Sequence, residues 1–139
     1  MEMKLVYEVL GEQDQHILAS HISHLHDICK EILGFVEHDC LKDLIFTSFV
    51  PGRIRGVAQI LSEIYERFEC SVKENKIDDL NVRNFMQNFF EFVSLVSGLE
   101  KGMEKFCYDY RDDSAFLKYT DDLVDFFKNK EFYVEDSEF

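Results

Sequence analysis

From Leu80 to Tyr110 the apolar side chains recur every three or four residues, with no proline and no strand-like alternation. At about 100° per residue, Val82, Phe85, Met86, Phe89, Phe90, Phe92, Val93, Leu95, Val96, Leu99, Met103 and Phe106 cover well over half of a helix circumference. One apolar stripe serves a single contact, so a helix this apolar must be enclosed on several sides. The fold is expected to form around it. The same three-and-four spacing through the rest of the chain predicts an all-α domain of five or six helices.

The other segments follow from their breakers. A first helix is expected from about Leu5 to Gly34, broken near Gly11, with Gly34 as a C-terminal cap. A short one over about Asp39–Phe49 is expected to stop at Pro51-Gly52. A third, from Arg53 to about Lys73, carries Ile54, Val57, Ile60, Leu61, Ile64, Tyr65 and Phe68 on one face. "KENKIDD" makes the next turn, and "RDDS" separates the long helix from a last one that Ser114 can cap and that runs to about Lys128. With one proline, no linker composition and no internal repeat, residues 1–139 read as one domain.

The remaining face of the long helix carries Ser94, Gly98 and Gly102 at i, i+4 and i+8. Small residues at that spacing admit a second helix closely, because no side chain holds the backbones apart. Two arrangements fit. The partner helix lies in the same chain, or two copies meet in a homodimer seam with Phe116, Leu123 and Phe127 of the last helix alongside.

A net charge of −13 disfavours nucleic acid and anionic membranes as partners, since both reward a basic surface. The stretch "MEMKLVYEVLGEQDQ" has neither a basic n-region nor an apolar h-region, so no signal peptide is expected. No apolar run approaches 18 residues. Cys29, Cys40, Cys70 and Cys107 are scattered without a CxxC, which suits reduced thiols in a cytoplasm.

"SHISHLHDIC" packs three histidines and a cysteine into nine positions. On a helix, residues 17, 18, 22, 25, 28, 29, 32, 33 and 36 form the apolar face, with His21 near its middle and His24 and His26 at its edges. His21 and His24 supply at most two ligands, whereas zinc wants three or four, and all five histidines lie within the first 38 residues. No metal is expected. The "HxxKG"-like pattern of a phosphotransfer histidine, an activated Ser or Cys, a GxGxxG and a P-loop are all missing, so the chain does not read as an enzyme. His21 is then a satisfied core histidine or a polar group lining a pocket.

Two stretches carry a resemblance. "LVYEVLGEQDQHILASHISHL" (5–25) is similar to the opening helix of the haem-less, globin-like sensor domains of stressosome scaffold proteins. Those begin V-Y, place Glu five positions after the Tyr, and then an apolar pair near the position of Ile17-Leu18. "RNFMQNFFEFVSLVSGLEKGMEKFCYDY" (83–110) resembles their long later helix with its aromatic end. Related domains form the sensors of Bacillus-type sporulation histidine kinases, and standalone copies inhibit sporulation. The two stretches cover about a third of the chain and match mainly in apolar spacing. Where the scaffold proteins carry a Trp, this chain has His21, a smaller and polar ring.

The resemblance implies a globin-like shell without haem, and no histidine follows position 38 to serve as a proximal ligand. It further implies a hydrophobic tunnel for a fatty-acid-like chain and a nearby chloride or other halide. Such a cavity is expected between the third and fourth helices, lined by Phe46, Phe49, Val57, Leu61, Phe85, Phe89, Phe92, Val93 and Val96. His21 and Arg53 would stand at its polar end. Arg53 and Arg55 open a helix, where the positive dipole end favours an anion, although surface arginines would look the same. The leading expectation is a non-enzymatic signal-binding domain, homodimeric, that competes with a sensor histidine kinase for its ligand or partner. The alternative is a helical interaction module presenting an apolar groove to a partner helix.

Overall fold

A computed structural model describes residues 4–46 and 49–129. Among them the chain is all-α, with five α-helices: α1 (Lys4–Leu10), α2 (Glu12–Glu37), α3 (Val50–Glu74), α4 (Leu80–Tyr108) and α5 (Ser114–Asn129). A short 3₁₀ helix, Leu41–Ile45, joins α2 to α3.

The breaks have local causes. Gly11 sits at φ 88°, a left-handed conformation that glycine adopts without steric cost, and it separates α1 from α2 at the expected place. Gly34, however, lies inside α2, which runs a turn further. The stop comes at Asp39 (φ 53°), with Asp39 N–H donating to Val36 O (3.1 Å) and Cys40 N–H to Phe35 O (3.0 Å). This is a Schellman closure in which aspartate, tolerant of left-handed backbone, takes the place of glycine. Lys76 ends α3 the same way, with Ile77 N–H reaching Val72 O at 3.0 Å. The expected helix over 39–49 contracts to the 3₁₀ helix. Pro51-Gly52 starts α3 instead of stopping its predecessor, because a first-turn proline has no N–H to leave unpaired. Asp79 caps α4 by accepting from Val82 N–H at 3.0 Å.

Helix α4 is central. It packs mainly on α5 and α3 and also touches α1, while α2 closes the bundle against α3 and α5. Phe85, Phe89, Phe92, Val96, Leu99, Met103 and Phe106 of α4 are buried, which accounts for its broad apolar surface. Leu18, Leu25, Ile28 and Ile32 of α2 and Ile54, Leu61, Ile64 and Phe68 of α3 join them in the core cluster. Among the described residues no helix is long and apolar enough to cross a membrane.

Candidate functional site

The wall between α3 and α4, where a cavity for a guest is expected, is occupied by rings in contact. Phe68 meets Phe85 edge-on with centroids 5.3 Å apart, Phe85 meets Phe89 at 5.9 Å, and Tyr65 meets Phe89 at 5.3 Å. Phe92 turns the other way, towards Phe126 (5.3 Å) and Phe127 (5.8 Å) of α5. Val57, Leu61, Phe85, Phe89, Phe92 and Val96 are buried as core, and Val93 is half-buried. Edge-to-face pairs are favourable beyond their burial, so these rings pack on one another between α3 and α4.

Phe46 and Phe49, expected inside, stand outside. They are 71% and 84% exposed, and Tyr108 at the far end of α4 and Tyr110 just beyond it are 87% and 45% exposed. Phe46 and Tyr110 touch edge to face at 6.4 Å, and Tyr110 leans on buried Phe106 at 6.0 Å. The segment leading into α3 thus meets the end of α4 in an aromatic ridge. Phe49 holds its place at φ 53° and ψ 35°, a left-handed conformation that is costly for a bulky residue. Beside the ridge a cleft of about 230 Å³ is lined by Pro51, Arg55, Glu100, Met103, Glu104, Cys107 and Tyr108. Burial and nearby Glu104 raise the Cys107 thiol pKa, against the opposing pull of Arg55.

The expected polar end is differently wired. His21 is half-buried, and its Nδ1–H donates to Ile17 O (3.0 Å) one turn back, as a satisfied histidine does. Arg53 is held by α2: its Nη1 lies 2.8 Å from Glu31 Oε2 and its Nε donates to His24 Nε2 at 3.4 Å. The carboxylate that meets Arg53 stands where an anion was expected.

The small-residue face is also used inside one chain. A Cβ on Gly102 would lie 2.7 Å from Phe116 N and one on Gly98 would run into the Tyr119 ring, while Phe116 and Leu123 are buried against α4. The homodimer seam expected through Gly98, Gly102, Phe116 and Leu123 is therefore the intrachain α4–α5 crossing. Ser94 is exposed, and Phe127 rests half-buried on Phe92 and Phe126.

Sequence reasoning did not single out one surface. Between α2 and α5 a groove of about 280 Å³ is lined by His26, Cys29, Lys30, Leu33, Val124, Phe127 and Lys128. His26 packs edge-on against Phe127 at 5.4 Å. Only the placement of His26 on the edge of the α2 apolar face hinted at it. The Cys29 thiol at its floor is pushed up to about 12 by burial, so it keeps its proton at neutral pH. Among the described residues no group of three or more His, Cys, Asp and Glu could hold a metal ion.

No family model matches this chain, and no curated protein or solved structure matches it either.

Proposed function

We propose that this chain is a non-enzymatic helical interaction module that acts by contact, setting its aromatic ridge against the apolar face of a partner helix. The observation that carries this reading is the exposure of Phe46 and Phe49 ahead of α3 and of Tyr108 at the end of α4, where Tyr108 lines the cleft. Burying one large apolar side chain is worth roughly 1.5–3 kcal/mol, so a cluster left in water is a reserve of binding energy. Aromatic residues dominate the few positions that carry most interface affinity, and a neighbouring cleft gives a partner side chain somewhere to anchor. A helix with apolar residues at i, i+3, i+4 and i+7 presents a matching stripe.

The resemblance to sensor domains of sporulation kinases suggests the direction of the effect. On that likeness, a sensor-like domain inhibits by occupying a partner that the kinase sensor would otherwise engage. The contact form of that reading has more support than the ligand form, because rings touch where a guest would lie between α3 and α4.

The test uses a fluorescein-labelled amphipathic peptide with a leucine stripe as probe. The wild type should bind it, and Phe49→Ser/Tyr108→Ser should bind at least tenfold more weakly with an unchanged unfolding midpoint. Equal binding by the two proteins would remove the ridge from the mechanism. An acyl chain retained at one per chain in native mass spectrometry would favour ligand sensing instead.

A further inference from the structure

The α2–α5 groove shares no residue with the ridge, and its chemistry is opposite to that of the chain as a whole. The sequence holds 28 acidic residues against 15 Lys and Arg, yet none of the described residues lining this groove is a carboxylate. Its apolar floor is Leu33, Val124 and Phe127, and its rim carries Lys30, Lys128 and His26. Neither lysine has an ion-pair partner among the described residues, as is also true of Lys42, Arg55, Lys76, Lys101 and Lys105, but these two stand on one groove. Two ammonium groups on opposite helices, neither of them ion-paired among the described residues, thus bracket an exposed leucine and a half-buried phenylalanine.

We infer that this groove is a second docking site, and that its occupant is an acidic peptide segment of a partner protein with an aromatic or aliphatic anchor. The apolar anchor would seat on Leu33, Val124 and Phe127, and flanking carboxylates would pair with Lys30 and Lys128. Charge complementarity selects this occupant. A basic segment would add cations beside two that meet no carboxylate among the described residues, and a neutral one would bring them no counter-charge. In a chain of net charge −13, long-range repulsion keeps acidic segments away from other faces, so a local cationic rim confers orientation as well as affinity.

The experiment uses the full chain and a fluorescein-labelled twelve-residue peptide with two phenylalanines flanked by glutamates. Its counterpart has lysines in place of the glutamates. The acidic peptide should bind, several-fold more weakly when salt is raised from 50 to 500 mM, and the basic one should not. Lys30→Glu/Lys128→Glu should reduce acidic-peptide binding at least tenfold and create binding of the basic peptide. Leu33→Ser, an exposed change, should weaken binding about tenfold without moving the unfolding midpoint, while Phe49→Ser should leave it unaltered and so keep this site distinct from the ridge. Equal binding of both peptides, or no effect of charge reversal, would overturn the inference. Self-association abolished by Leu33→Ser would overturn it in favour of a second copy. Tighter peptide binding after Glu135, Asp136 and Glu138 are changed to lysine would overturn it in favour of the chain's own terminus.

Discussion

Gly102 faces the backbone of Phe116 so closely that a Cβ at position 102 would lie 2.7 Å from the Phe116 amide nitrogen and 2.8 Å from its Cα. No rotamer change relieves a clash with backbone, so Gly102→Ala must move α5. We expect about 1–3 kcal/mol of destabilisation, the range for overpacking, despite alanine's advantage of about 1 kcal/mol within a helix. At Gly98 the obstacle is the Tyr119 ring, which can swing aside, so Gly98→Ala should cost less. Urea midpoints check the order, and light scattering should find the oligomeric state unchanged in both variants.

Phe89 is fully buried and touches the rings of Tyr65, Phe68 and Phe85. Phe89→Ala should lower stability by about 3–5 kcal/mol, because the stiff neighbouring rings collapse only partly into the space. If the variant folds, it should bind benzene, seen as a thermal shift absent from the wild type.

Phe49 combines a left-handed backbone with an exposed ring. Phe49→Gly removes a conformational cost of about 1–2 kcal/mol and gives up little burial. Glycine's greater freedom in the unfolded chain offsets part of that gain. The variant should melt no lower than the wild type while losing affinity for the amphipathic probe. A lower midpoint would mean that the ring stabilises the fold.

Arg53 joins α2 to α3 through Glu31 and His24. The pair is partly solvated, so a double-mutant cycle with Arg53→Met and Glu31→Gln should yield a coupling of only about 1 kcal/mol. Because Glu31 already neutralises the guanidinium, exchanging chloride for gluconate at constant ionic strength should leave the melting temperature unchanged. A specific halide effect would restore the anion site at Arg53.

Burial pushes the Cys29 thiol from 9.0 to about 12, and burial, then the hydrogen bond to Glu69, raises Tyr65 from 10.0 to about 12. Both folded-state values exceed the unfolded ones, so their stabilising effect is complete below pH 9 and is lost as pH rises towards 12. Urea midpoints should fall above pH 9, less steeply in Cys29→Ala. At neutral pH exposed Cys70 should react with a thiol reagent at once, and Cys29 only at the rate of unfolding.

The break at Gly11 was legible in the sequence because it depends on the backbone preference of a single residue, and α5 starts where expected, with Ser114 as its first residue. The enclosed helix around Phe85, Phe89 and Phe92 was legible because apolar periodicity is itself the record of burial. The end of α2 was not: Gly34 and Asp39 both suit a left-handed stop, and hydrogen bonds from residues 39 and 40 decide between them. The candidate site was legible only as a set of residue types. Periodicity marked Phe46 and Phe49 as apolar and Gly98 and Gly102 as a close-approach face, but which surface each would meet depends on how the helices cross. Tertiary structure alone settled that α5 fills the Gly98–Gly102 face, that rings of α3 and α4 touch one another, and that Phe46 and Phe49 remain in water. The physical reason is that a helix's own sequence fixes which side is apolar, whereas the partner for that side is chosen by all the other helices competing to cover it.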